Sequence, residues 1–144
     1  MNGRQLAGPL LAILVAVGVY ALWPKEKVSP EDEIRALVAR VVGQAEKRDS
    51  AGVTEALSDS FRGGGLSKQE VRQLVLGQFF KAKQIVVLNP LLEVTVKSPT
   101  EGRFKGTFLF GRDGAGPEAS RYTIEADVLK TGDGWHIIAA TWSR

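Results

Sequence analysis

The sequence predicts an α+β fold: three N-terminal helices packed on a curved antiparallel sheet, preceded by one transmembrane or signal helix. Three observations carry this expectation. An uncharged apolar run opens the chain, apolar residues then recur at helical spacing to about Lys81, and from Gln84 onward they alternate with polar ones.

The opening run, "LAGPLLAILVAVGVYALW", extends from Leu6 to Trp23, 18 residues, the short end of what spans a hydrocarbon core. Tyr20 and Trp23 suit a membrane–water interface, and Pro24 helps end the helix. Val19 and Ala21 are small enough for a cleavage site after Ala21, so the run reads as an uncleaved anchor or a signal peptide. Lys25, Lys27, Arg35 and Arg40 come after the run and only Arg4 precedes it, which by charge counting opposes export of the C-terminal part. The very short N-terminal tail instead resembles a signal anchor that exports its C-terminal domain. The expected organisation is an anchor or signal over 1–24, a short linker over 25–28 and one domain over 29–144.

"SPEDE" reads as a helix start. Ser29 caps, Pro30 takes the first helical position, and Glu31, Asp32 and Glu33 complement the positive end of the dipole. Ile34, Leu37, Val38, Val41, Val42 and Ala45 then mark one face. A second short helix is expected after Asp49 or Ser50, with Val53, Leu57 and Phe61 as its stripe. Gly63–Gly65 lack the Lys-Ser/Thr that a phosphate-binding loop requires and read as a flexible loop. Ser67 and Glu70 form a capping-box pattern opening a third helix. Val71, Leu74, Val75, Phe79 and Phe80 make that helix apolar on most sides, so it is expected to be well buried.

Five strand candidates come next: 84–89, 91–98, 103–112, 120–130 and 134–143, with a bend or sheet edge expected at Asn89-Pro90. Leu92, Val94 and Val96 share a face, as do Phe104, Gly106, Phe108 and Phe110, and Tyr122, Ile124, Ala126 and Val128. One sheet face is therefore apolar and needs the helices to cover it.

Net charge is +3, with 19 basic and 16 acidic residues interspersed, and there is no Cys. No basic stripe or motif for nucleic acid is seen, and no disulfide, thiolate or metal cluster is expected. No cofactor is expected. The only histidine is His136. With Gly132 and Asp133 as a hairpin turn, Trp135 pairs with Lys130, His136 with Leu129, Ile137 with Val128 and Ile138 with Asp127. His136 and Asp127 then become diagonal neighbours, a candidate acid–base dyad, with Tyr122 a further candidate proton donor. In this register Trp135, Ile137 and Ala139 face the core. His136, Ile138, Ala140 and Trp142 face away.

The order of elements resembles the nuclear transport factor 2-like superfamily, also described as the cystatin-like α+β cone. "AEKRDSAGVTEALSDSF" is similar to its passage between first and second helices, and "GDGWHIIAATWS" to its closing hairpin. The resemblance covers about Ser29 to Arg144. It implies a cone whose ligand pocket would include Phe79, Phe104, Phe108, Tyr122 and Trp135. It also implies dimerisation through the other sheet face, with Leu109, Leu129, Ile138 and Trp142 at the interface. The superfamily includes isomerases, dehydratases and hydrolases as well as non-enzymatic carriers. It also includes single-pass bacterial inner-membrane proteins with the cone outside the cytoplasm, among them a secretion-system component. The functional expectation is a membrane-tethered, non-enzymatic binding or assembly module in the periplasm, attached through Leu6 to Trp23 or released after Ala21. Its partner would be a small hydrophobic ligand or an envelope protein. The alternatives are a small-molecule enzyme of the same fold and a subunit of an envelope secretion complex.

Overall fold

In a computed structural model, the structure describes residues 28–114, 116 and 120–144. The apolar run Leu6–Trp23 lies outside these residues. Among the described residues no helix is long and apolar enough to cross a membrane.

The elements in chain order are α1 (Pro30–Glu46), α2 (Ser50–Glu55), β1 (Leu57–Gly63), β2 (Leu66–Ser67), α3 (Lys68–Lys81), β3 (Ile85–Ser98), β4 (Glu101–Arg112), β5 (Ser120–Thr131) and β6 (Gly134–Ser143). They form helices over one face of a six-stranded sheet of order β2-β1-β6-β5-β4-β3. The sheet is not purely antiparallel, because β1 runs parallel to β6, with Leu57 opposite Ile137 and Gly63 opposite Ala140.

Each helix starts where its sequence directs. Ser29 Oγ accepts from Asp32 N at 3.2 Å, Asp49 Oδ1 from Gly52 N at 2.9 Å, and Ser67 Oγ from Glu70 N at 3.3 Å. Ser67 Oγ also lies 3.1 Å from Glu70 Oε1. The second helix ends at Glu55, earlier than its stripe implied, and Leu57–Gly63 is strand. Leu57 and Phe61 are four apart, a spacing that keeps residues on one face of a helix and of a strand alike. Gly63–Gly65 is not a loose loop. Gly64 and Gly65 have φ of 57° and 77° and turn β1 into β2, pairing Gly63 with Leu66. Trp142 covers this turn so closely that a Cβ on Gly64 would stand 2.6 Å from its ring.

The two strand candidates around Asn89-Pro90 are one strand, β3, at the sheet edge. Its register slips between Leu88 and Leu91, so the proline sits in a bulge where no ladder hydrogen bond is needed.

The final hairpin turns at Gly132-Asp133 as expected, pairing Thr131 with Gly134, Lys130 with Trp135, Leu129 with His136 and Val128 with Ile137. A bulge then inserts Ile138, and Asp127 pairs with Ala139 instead. Every residue beyond it changes face. Ala140, opposite buried Ala126, packs on the core side, and Trp142, opposite Ile124, shares that side. Ala139 lies on the outer face with Asp127. The bulge lies where β6 meets both β5 and the parallel β1, and Ile137 N donates to Ala56 O at 2.8 Å.

The core lies between α1 and the lower half of the sheet. Ile34 (0% exposed), Leu37 and Val38 pack with Phe104, Ala126, Val128, Trp135 and Ile137. Gly102 makes this approach possible, since a Cβ there would stand 2.6 Å from Ile34 Cδ1 and 3.2 Å from Thr95 O. Glu33 beside Ile34 accepts from Lys130 Nζ at 2.9 Å and from Trp135 Nε1 at 2.9 Å. These two donors, Lys130 first, hold its carboxyl below the usual Glu range.

α3 departs from expectation. None of its residues is buried, and Leu74, Leu76 and Phe80 are 56%, 44% and 86% exposed. It rests on α2, β1 and β2 rather than on the long strands. Val71, Val75 and Phe79, four apart, form a half-buried inner stripe, and of these Val71 packs against the core.

Two outcomes test this packing. Gly102→Ala is expected to destabilise the domain by about 1–3 kcal/mol through overpacking. Gly43→Ala, where a Cβ meets nothing within 4 Å, is expected to stabilise it by about 0.5–1 kcal/mol. Denaturant titration reads both, and equal effects would contradict the Ile34–Gly102 fit. For Glu33, the folded carboxyl is more acidic than its ordinary value of 4.5, so its stabilisation is complete above that value and is lost as pH falls through the lower folded one. The melting-temperature gap between the parent and Glu33→Gln should therefore be largest near neutrality and close on acidification. A gap that widens in acid would refute the assignment.

Candidate cone site

Toward the ends of β3 and β4 remote from Gly102, the core-side sheet face passes from buried Val87 and Phe108 to half-buried residues. Register places Phe108 opposite Tyr122, Phe110 opposite Ser120, Leu92 opposite Gly106, and Ile124 opposite Trp142. The strands put these side chains on one face because they alternate with Thr107, Leu109, Thr123 and Ser143. Phe108 is buried, while Phe110, Tyr122 and Ile124 are half-buried. Phe108 and Phe110 stack with centroids 6.4 Å apart, and Phe110 meets the Tyr122 ring edge-on at 5.8 Å. Arg112 Nη1 bridges from β4 to Gln78 Oε1 of α3 at 3.3 Å. Below it, Asp113 Oδ1 accepts from the backbone of Lys83 at 2.6 Å and Gln84 at 3.1 Å, which lowers its pKa and fixes the end of α3. The result is an aromatic mouth at the rim of the core-side face, formed by half-buried Phe110 and Tyr122 beside buried Phe108.

Polar groups at this mouth are few. Tyr122 Oη accepts from Arg144 Nε at 3.2 Å, and the guanidinium carbon lies 5.5 Å from the Tyr122 ring centre. Of the five pocket residues expected from the resemblance, Phe108 and Tyr122 lie at this mouth, and Phe79 is half-buried on the inner stripe of α3. Phe104 and Trp135 belong to the closed core under α1, with Trp135 held to Glu33. Leu92, Ile124 and Trp142 were not expected there. Leu92 and Ile124 were legible from the strand alternation, but Trp142 reaches this face only through the Ile138 bulge.

His136 and Asp127 lie on the outer face, away from the mouth, and no hydrogen bond joins them among the described residues. His136 Nδ1 is 3.2 Å from Gly134 O, which suits an Nδ1–H donor. Asp127 faces Arg103, whose Nε is 3.3 Å from Oδ1 in a contact without hydrogen-bond geometry. The same face carries Arg103–Glu125 at 3.8 Å and Lys105–Glu125 at 3.5 Å, a charged ladder across the middle of the sheet. A shallow groove of about 290 Å³ runs from this ladder to Arg62 and Gly64. Leu109 stands on one side of the ladder, Leu129 and Ile138 on the other, and Trp142 is on the opposite face. Among the described residues no group of three or more His, Cys, Asp or Glu is placed to hold a metal ion.

No family model and no curated protein matches the chain. Solved structures do. An NTF2-like protein of unknown function from Pseudomonas putida KT2440 is 17% identical with a TM-score of 0.69, over 78% of this chain and 84% of that one. Bd1075 of Bdellovibrio bacteriovorus is 16% identical with a TM-score of 0.66 over 76% of this chain, which spans only 38% of its length. The hexachlorocyclohexane dehydrochlorinase LinA-type3 of Novosphingobium barchaimii LL02 is 11% identical with a TM-score of 0.60, over 77% and 83% of the two chains. At such identities the likeness concerns architecture alone. With the six-stranded sheet and its helices on one face, it gives the described domain the NTF2-like, cystatin-like α+β fold.

Proposed function

We propose that the chain is a membrane-tethered binding module, not an enzyme, whose cone mouth takes a small apolar molecule. Leu6–Trp23 holds it to the bilayer with the domain in the periplasm, and a second copy meets it across the outer sheet face. The observation that supports the binding role most is the composition of the mouth. Phe110, Ile124 and Trp142 supply apolar surface, and the hydroxyl of Tyr122 is already engaged by Arg144. The acid and base expected as a dyad, Asp127 and His136, stand on the other face of the sheet. Such a lining favours desolvation of a ligand over proton transfer. A second reading, an enzyme acting on an apolar substrate, is favoured by one observation: Tyr122 puts a hydroxyl beside a guanidinium at the mouth.

A neutral fluorescent apolar probe titrated into the full chain in detergent should saturate at one site. Ile124→Phe, which fills the mouth, is expected to weaken binding about tenfold, equivalent to about 1.4 kcal/mol. Tyr122→Phe should leave binding nearly unchanged. Equal affinity in the Ile124→Phe chain would place the probe elsewhere. Turnover of a bound compound that disappears in Tyr122→Phe would establish the enzyme instead.

A further inference from the structure

α3 presents a problem that the cone site does not absorb. Its sequence is apolar on most sides, yet its inner stripe is only half-buried and the flanks of that stripe are bare. Leu74 stands on one flank, Leu76 and Phe80 on the other, and Phe80 is 86% exposed. Three large apolar side chains on one short helix are more than the scattered single exposures of an ordinary surface. Cations gather at one end. Arg72 and Lys81 lie on α3, Lys83 comes just after it, and Arg48 Nη1 donates to Ala82 O at 2.7 Å, which brings Arg48 to the Phe80 end; at the far end of α3, Lys68 pairs with Asp59 at 3.1 Å beside exposed Glu70. The nearest carboxylates at that end, Asp49 and Asp113, each accept from backbone N–H groups of helix and strand ends. Bare apolar side chains with lysine and arginine gathered at the Phe80 end suit the boundary between acyl chains and anionic headgroups.

The route of the chain agrees. Residues 24–29, between the apolar run and α1, span at most about 20 Å when extended. α1 has 17 residues, about 25 Å, and carries the chain from that entry to the Phe80 end of α3. α1 and α3 cover the same face of the sheet. A domain tethered at the start of α1 can therefore lay its helical side along the bilayer, with the charged ladder of Arg103, Lys105, Glu125 and Asp127 turned to water.

We infer that α3 is a second membrane contact: Leu74, Leu76 and Phe80 seat in the interface of a bilayer containing anionic lipid, with Lys81 and Lys83 at the headgroups. The inference rests on the proposed tether through Leu6–Trp23 and adds to it an orientation, in which the mouth beside α3 opens at the membrane surface.

The absence of cysteine makes a direct test available. The full chain, carrying Phe80→Cys or Thr95→Cys on the exposed outer side of β3, is labelled with an environment-sensitive dye. It is then reconstituted into vesicles of equimolar phosphatidylcholine and phosphatidylglycerol. Flotation first reports whether the chain holds to the vesicles; a chain that stays in solution overturns the tether and this inference together. In floated chains, the dye at 80 should be quenched by spin-labelled acyl chains several-fold more than the dye at 95, and be shielded from aqueous iodide. A floated chain whose dye at 80 is as open to iodide as that at 95 overturns the α3 contact alone. So does a dye at 80 shielded from both quenchers, which would mark a protein cover, either a second copy or the Leu6–Trp23 run itself.

Discussion

The docking of α1 on the lower sheet decides the rest of the architecture. Ile34 reaches Val128 across the backbone of Gly102, where no side chain intervenes, and Glu33 beside it receives Lys130 and the Trp135 indole. An apolar contact without directional preference is thereby joined to two charge-assisted hydrogen bonds that fix its orientation. α1 ties the closing hairpin to the middle strands at one end of the sheet. Its 17 residues run on along β3, and Arg48 just after it donates to Ala82 O. α3 rests on α2, β1 and β2, and its end is braced by the Arg112–Gln78 and Asp113 contacts.

The two faces of the sheet sort the polar groups. Under α1, a polar atom must be satisfied inside the protein, and Trp135 Nε1 is. On the outer face, Arg103 and Lys105 alternate with Glu125 and Asp127, a pattern suited to water or to a wet interface, since exposed pairs of this kind each contribute little. A dimer through that face would bring together a charged centre with apolar ends at Leu109 and at Leu129 and Ile138. Register would come from the charges and area from the leucines.

Much of this was legible in the sequence, for reasons that can be named. Caps are local chemistry, so Ser29, Asp49 and Ser67 were readable one by one. Alternation with period two is read directly, so the faces of β4 and β5 were expected, and Pro90 marked the sheet edge though not that the strand runs on through it. Leu57 and Phe61 failed because a spacing of four fits helix and strand equally, and what decides is pairing with β6, far along the chain, which no local pattern encodes. Ile138 failed for a related reason. Nothing in "HIIAATW" marks an inserted residue, yet the insertion moves Trp142 from the expected interface to the cone mouth and detaches it from Leu109, Leu129 and Ile138. The Asp127–His136 dyad lost its support to a competitor the sequence did not point to. Arg103 on the neighbouring strand offers Asp127 a cation, a stronger claim on a carboxylate than an imidazole that already has a backbone carbonyl in reach.

The misreading of α3 is the informative one. An apolar helix is expected to be buried because water is the assumed alternative, and for α1 that assumption holds: its apolar stripe is covered and its charged side is not. In α3 the apolar residues extend beyond the stripe that the protein can cover, while the polar ones are mostly basic or amide. Selection for solubility alone would place charge at 76 and 80, where no packing requires Leu or Phe. The proposed bilayer contact gives Leu76 and Phe80, in a chain that also carries an uncharged 18-residue run, an apolar neighbour outside the protein. The same physical premise, that apolar area seeks an apolar neighbour, accounts for both helices once the bilayer is admitted as one of the neighbours.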